Sequence, residues 1–168
     1  EKESEFNERP ELDRWILSEL NSLINNVDEF YNDYEPTKAA RAINNFVIDN
    51  LSTWYVRLSR RRFWKGEYEK DKISAFQTLY KVLIDVSKLS APISPFFMDR
   101  LYIDLTKNIG KNYSESIHLE DFPVAHNSKI DLRLQQKINY AQTISSLTLS
   151  LRAKEKIKVR QPLSKILI

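Results

Sequence analysis

Between Asn50 and Lys65 the chain reads NLSTWYVRLSRRRFWK, with five basic residues, two tryptophans and no acid. On a helix, Arg57, Arg60, Arg61 and Trp64 stand at i, i+3, i+4 and i+7, one stripe along the flank of the apolar face. Arg61 and Lys65 continue the line of Trp54 and Leu58, where core residues are expected, so the last turns should project beyond the packed protein. Arg62 points to another side of the helix and ranks below the others. Guanidinium groups present planar forks that match phosphate oxygens, and an exposed indole offers a face on which a base can stack. Both together at a protruding helix end suit single-stranded RNA. A structural reading competes with it. In an antiparallel hairpin the same arginines would meet Glu5, Glu8, Glu11 and Asp13, and Trp64 would cap the core.

A second basic segment, RAKEKIKVR, runs from Arg152 to Arg160 with Glu155 as its one acid. Lys156, Lys158 and Arg160 are further phosphate-binding candidates, with a solvated helix end as the alternative. Other chemistry finds little material. His118 and His126 stand apart, without a ligand set at metal spacing, and no nucleophile–base set or carboxylate pair can be assembled. With no cysteine and two glycines, disulfides, thiolate metal sites and Gly-rich phosphate cradles are excluded. Gly66 and Gly110 each follow an apolar-periodic run and are expected to end helices in the left-handed conformation.

These groups sit in 168 residues of ordinary globular composition, 42% hydrophobic and 29% charged, with a net charge of +3. The modest total hides an uneven distribution. Residues 1–35 carry eleven acids against three bases, whereas residues 54–65 and 152–168 each carry a surplus of five positive charges. No apolar run approaches the roughly 20 residues of a membrane span, and the N-terminus does not read as a signal peptide. The expected location is the cytoplasm.

The elements that must position the stripe are helical. Apolar residues from Leu12 through Trp15, Ile16, Leu20, Leu23, Ile24, Val27, Phe30 and Tyr31 to Tyr34 follow one helix face. Pro36 can open a second helix at its first turn, carrying Ala39, Ile43, Phe46, Val47, Leu51, Trp54 and Leu58 and running to about Trp64. A third, from about Asp71 to near Pro92, uses Ile73, Phe76, Leu79, Leu83, Val86 and Leu89. Ser94 and Pro95 read as cap and first turn of a fourth, to about Ile109. Residues 110–127 lose the period and should form a loop folded over the helices. Ser128 with Asp131 resembles a capping box for a fifth helix, through Leu132, Ile138, Ala141, Ile144, Leu147 and Leu151. IKVRQPL then alternates like the first strand of a truncated segment. The expected architecture is all-α, an up-and-down bundle of about five long helices over residues 1–155, with a strand or linker beginning at 156–168.

Five blocks in this order carry a resemblance: LDRWILSELN, NLSTWYVRLSRRRFW, TLYKVLIDVSKLSAPISPFFMDRLY, SIHLEDFP and RAKEKIKVRQPL. Together they resemble the region that follows the catalytic core in class I isoleucyl-tRNA synthetases. The resemblance implies a helical anticodon-binding domain docking on the anticodon stem and loop of isoleucine tRNA, with Trp64 placed like the tryptophan that stacks an anticodon base in the related methionyl enzymes. The HIGH and KMSKS signatures are absent, so no cofactor is expected in this chain; ATP and magnesium would belong to the parent ligase. The implied partners are that tRNA and the catalytic and C-terminal domains of the same polypeptide. Two alternatives stay open: a helical spacer packing on the synthetase core without reading RNA, and the equivalent domain of a valyl-type enzyme.

Overall fold

The computed structural model describes residues 5–65, 67–107 and 113–165. Gly66, Gly110 and residues 166–168, and with them the expectations that rest on the two glycines, lie outside that range. The long helices are α1 (Glu11–Asn32), α2 (Pro36–Asn45), α3 (Arg57–Trp64), α4 (Lys70–Ser90), α5 (Pro95–Thr106) and α6 (Leu132–Lys154). A π-helical stretch, Phe46–Val56, joins α2 to α3. Backbone angles at Asn45, Phe46, Val56 and Arg57 are all right-handed helical, so the three pieces form one unbroken rod. With that rod counted once there are five long helices, as the periodicity predicts, and no strand among the described residues. The chain divides into two compact units between Asp131 and Leu132.

In the first unit, α1 buries Trp15, Ile16, Leu17, Leu20, Leu23, Ile24 and Val27. Each such side chain removed from water contributes roughly 1.5–3 kcal/mol. The helix stops before Tyr34. That residue adopts φ 57°, with Glu35 N–H donating to Phe30 C=O and Tyr34 N–H to Tyr31 C=O, the paired bonds of a Schellman C-cap. Tyr34 is therefore exposed, not the last member of the apolar face.

The rod departs furthest from the sequence expectation. Its buried residues are Ala39, Ile43, Phe46, Leu51, Tyr55 and Ser59, while Leu58 is exposed and Trp54 half-buried. An i→i+5 ladder widens each turn beyond the 3.6 residues of an α-helix. The inward-facing positions consequently move to Leu51, Tyr55 and Ser59, and the stripe extrapolated through Trp54 and Leu58 turns outward.

α4 lies between α1 and α5, in contact with both and with α3. It buries residues all round its second half, including Val82, Ile84, Val86 and Leu89. On its first half the inner line is Ala75, Thr78 and Val82, whereas Phe76 is exposed and Ile73 and Leu79 are half-buried. Pro95 opens α5 as expected, although the Ser94 side chain makes no capping bond. Tyr102 of α5 is fully buried and packs with Ile84, Ala91 and Ile117.

Residues 113–131 form an ordered strap over this unit. Ser116 Oγ and Ile117 N–H donate to Asp99 at 2.6 and 2.9 Å. Lys88 and the Tyr102 hydroxyl both donate to Glu120 at 2.7 Å. The strap then follows α1 back toward its start. Phe122 meets Tyr31 edge-on, Asn25 bonds Asn127, His126 N–H donates to Asn21 and Asp131 N–H to Ser18. The buried polar side chains Ser18 and Asn21 thus satisfy backbone donors of an irregular segment. Ser128 belongs to a short 3₁₀ turn, Asn127–Lys129, and α6 starts only at Leu132; Ser128 is three residues too early to cap it.

In the second unit, α6 ends in another Schellman cap. Lys156 has φ 54°, Ile157 N–H donates to Arg152 C=O and Lys156 N–H to Ala153 C=O. One Arg152 nitrogen also donates to the carbonyls of Lys158 and Gln161, both at 2.9 Å. These bonds curl the segment back into turns, so the strand suggested by IKVRQPL does not form.

Candidate nucleic-acid interface

The basic stretch is anchored through a single buried carboxylate. Asp13, in the first turn of α1, is fully inaccessible. It accepts from Arg62 at 2.6 and 2.8 Å, from the Tyr55 hydroxyl at 2.9 Å and from Ser74 Oγ at 2.6 Å. Those four bonds tie α1, the π-helical stretch, α3 and α4 together. Arg62 also reaches Asp71, its Nε at 2.9 Å from the carboxylate. Burial works against the Arg62 charge, but the hydrogen bonds it donates to Asp13 and Asp71 outweigh it and hold the guanidinium more firmly protonated than usual. Burial first, and then the Asp13 charge, push the Tyr55 phenol upward, so it stays a donor. Tyr55 and Phe76 flank Phe63 edge-on, at 6.5 and 5.3 Å between ring centres, which packs the inner side of α3.

Arg62 is therefore a structural residue, with its fork occupied by two aspartates. Its neighbours differ. Arg57, Arg60, Arg61 and Lys65 are all exposed, and none of them makes an ion pair among the described residues. Trp64 ends α3 and is 78% exposed. Since α3 has regular α-helical geometry, the i, i+3, i+4, i+7 spacing does place Arg57, Arg60, Arg61 and Trp64 along one solvent-facing stripe. Trp54, half-buried, is less available. Of the predicted competition from Glu5, Glu8, Glu11 and Asp13, the described residues show the pair Arg62–Asp13. In the second unit Lys156, Lys158 and Arg160 are exposed as well.

The structure adds groups that helical spacing does not reveal. Tyr68, in the turn after Trp64, is 65% exposed and lies outside any periodic run. Asp13, Tyr55 and Ser74 position α3 although they are scattered along the sequence, so no local motif announces them. No group of three or more His, Asp and Glu that could hold a metal occurs among the described residues, and no helix among them is long and apolar enough to cross a membrane.

The family described as the anticodon-binding domain of tRNA ligase matches residues 13–167. The chain belongs to this family. Relatives include isoleucine–tRNA ligases of Cytophaga hutchinsonii, 56% identical over the whole chain, and of Bacteroides thetaiotaomicron, 58% identical over 96% of it. The ligase of Porphyromonas gingivalis is 59% identical over 97%. The chain spans 15%, 14% and 14% of these three proteins.

Proposed function

We propose that the chain is the anticodon-binding segment of an isoleucine–tRNA ligase and that it holds the anticodon stem and loop of isoleucine tRNA. One observation carries the reading. Arg57, Arg60, Arg61 and Lys65 are open to solvent and make no ion pair among the described residues, whereas the adjacent Arg62 takes up Asp13 and Asp71. A spacer that reads no RNA would be expected to pair the whole stripe.

In this reading the four cations contact phosphates and fix the register of the RNA, and Trp64 stacks an unpaired base, with Trp54 in a lesser supporting place. Lys156, Lys158 and Arg160 contribute further phosphate contacts from the second unit. Arg62 stays with its aspartates. ATP and magnesium act in the aminoacylating part of the ligase, outside this segment, and the setting is the cytoplasm. The valyl-type alternative loses ground, because the relatives named above are isoleucine–tRNA ligases.

The test is binding of the chain to isoleucine tRNA and to the same tRNA with an altered anticodon. Tighter binding of the intact anticodon is expected. Trp64→Ala should erase most of the difference, at about 1–3 kcal/mol, while Arg60→Ala should weaken both RNAs alike. Equal losses for both RNAs on Trp64→Ala would sink the stacking role.

A further inference from the structure

A second group of basic side chains comes together where the strap runs beside α1 and α4. A cavity of about 60 Å³ opens there, with Leu20 and Ile24 of α1 in its walls. Roughly 10–15 Å³ suffices for one water, so the space suits a few waters or one small ion. Arg9, Lys81, His126 and Lys129 line it, and Asp85 is the one acid among its described lining residues. The place is distinct from the α3 stripe. Between Asp71, which takes up Arg62, and Lys81, α4 rises about 15 Å at roughly 1.5 Å per residue.

The fold fixes these groups in advance. Arg9 is 6% exposed and donates to Thr78 Oγ1 at 2.7 Å. Lys81 meets both Asp85 oxygens, at 2.9 and 2.8 Å, so the buried carboxylate is already engaged. The bonds from His126 N–H to Asn21 and between Asn25 and Asn127 hold the strap against α1. Lys129 closes the 3₁₀ turn that these bonds pin. It is half-buried, yet its ammonium makes no ion pair among the described residues. A cation drawn partly out of water without a partner is costly. Three permanent cations, Arg9, Lys81 and Lys129, against one engaged acid give the cavity a positive field. Its complement is a compact oxyanion that accepts from several donors at once.

We infer that this cavity is a phosphate-binding site, with Lys129 as its main donor and Arg9, Lys81 and His126 in support. The phosphate is either the free ion or part of an RNA backbone, since both present the same oxygens. The site does not depend on the RNA reading of the α3 stripe.

The experiment titrates the 168-residue chain with inorganic phosphate, and with chloride at matched ionic strength, while backbone amide NMR signals are followed. Saturable shifts centred on residues 126–129 are expected with phosphate and not with chloride. Lys129→Gln should weaken phosphate binding about tenfold, the loss of one charge-assisted hydrogen bond, and Lys129→Arg should retain most of it. Helical circular dichroism checks that each variant folds. Should Lys129→Gln not fold, His126→Gln, which leaves the backbone bond to Asn21 in place, carries the same test. An anticodon stem-loop is the second titrant. Stem-loop shifts at residues 126–129 that Lys129→Gln abolishes assign the site to an RNA backbone phosphate. Stem-loop shifts confined to residues 57–65, with phosphate still bound, assign it to the free ion. Phosphate binding at residues 126–129 without any stem-loop binding keeps the site and removes the RNA reading of the stripe. Equal shifts with chloride, phosphate affinity unchanged by Lys129→Gln, or no shift at residues 126–129 with either titrant overturns the proposal.

Discussion

Arg61 and Arg62 are adjacent and chemically identical, but their surroundings are opposite. Arg62 meets a carboxylate with no solvent access, and its own side chain is 16% exposed. Its removal leaves Asp13 charged, buried and held only by Tyr55 and Ser74, a loss of about 3–5 kcal/mol. Arg62→Ala should therefore lower the urea midpoint sharply. Arg61→Ala should change stability by no more than about 0.5 kcal/mol, as expected of a surface substitution away from special features, yet weaken RNA binding. Urea melts and tRNA titrations of the two variants check the pair. An Arg62→Ala protein as stable as its parent would contradict the role given to Asp13. Helical spacing already turns Arg62 to another side of the helix; the fold adds the reason, since Asp13 and Asp71 take up its guanidinium.

At the level of elements, the strap depends on a titrating group. Hydrogen bonds from Lys88 and then Tyr102 hold the Glu120 carboxyl down to about 2, below its ordinary 4.5. A depressed carboxylate stabilises the fold fully above the unfolded value and loses that contribution as pH falls toward the folded one. The strap should accordingly weaken between pH 4.5 and 2. Glu120→Gln should cost about 1–3 kcal/mol at pH 6 and little at pH 2, measured as denaturant midpoints at the two pH values. A loss of equal size at both would remove the charge from the explanation. The helices themselves were legible from apolar spacing, because burial of one face imposes it. Their rotation was not always so. Nothing in the composition of residues 46–56 declares i→i+5 bonding, so Tyr55 was missed as a core residue and Leu58 misplaced in the core. Ser18 and Asn21 were likewise opaque, since the backbone donors they satisfy lie more than 100 residues away. The alternating IKVRQPL gave a strand signal that the Arg152 hydrogen bonds override.

At the whole-molecule scale, exposed cations and an open indole stand together at the end of α3. With the four stripe cations each on one phosphate, the logarithmic salt dependence of binding should have a slope of about −3, using the single-strand coefficient. Titration of the stem-loop at several salt concentrations measures it, and Arg60→Ala should reduce the slope by about 0.7. A slope near zero would remove phosphate contact from the reading. A slope several times steeper would mean that many more cations participate than the stripe supplies.

The π-helical stretch also acts as a phase setting. Each residue of an α-helix turns it by about 100°, so deleting one residue between Phe46 and Val56 should swing α3 around the rod axis while leaving α2 where it is. Arg62 would leave Asp13, and the stripe from Arg57 to Trp64 would face a different neighbour. A short deletion there would do what no single side-chain substitution can: keep every group of the exposed stripe and aim all of them elsewhere.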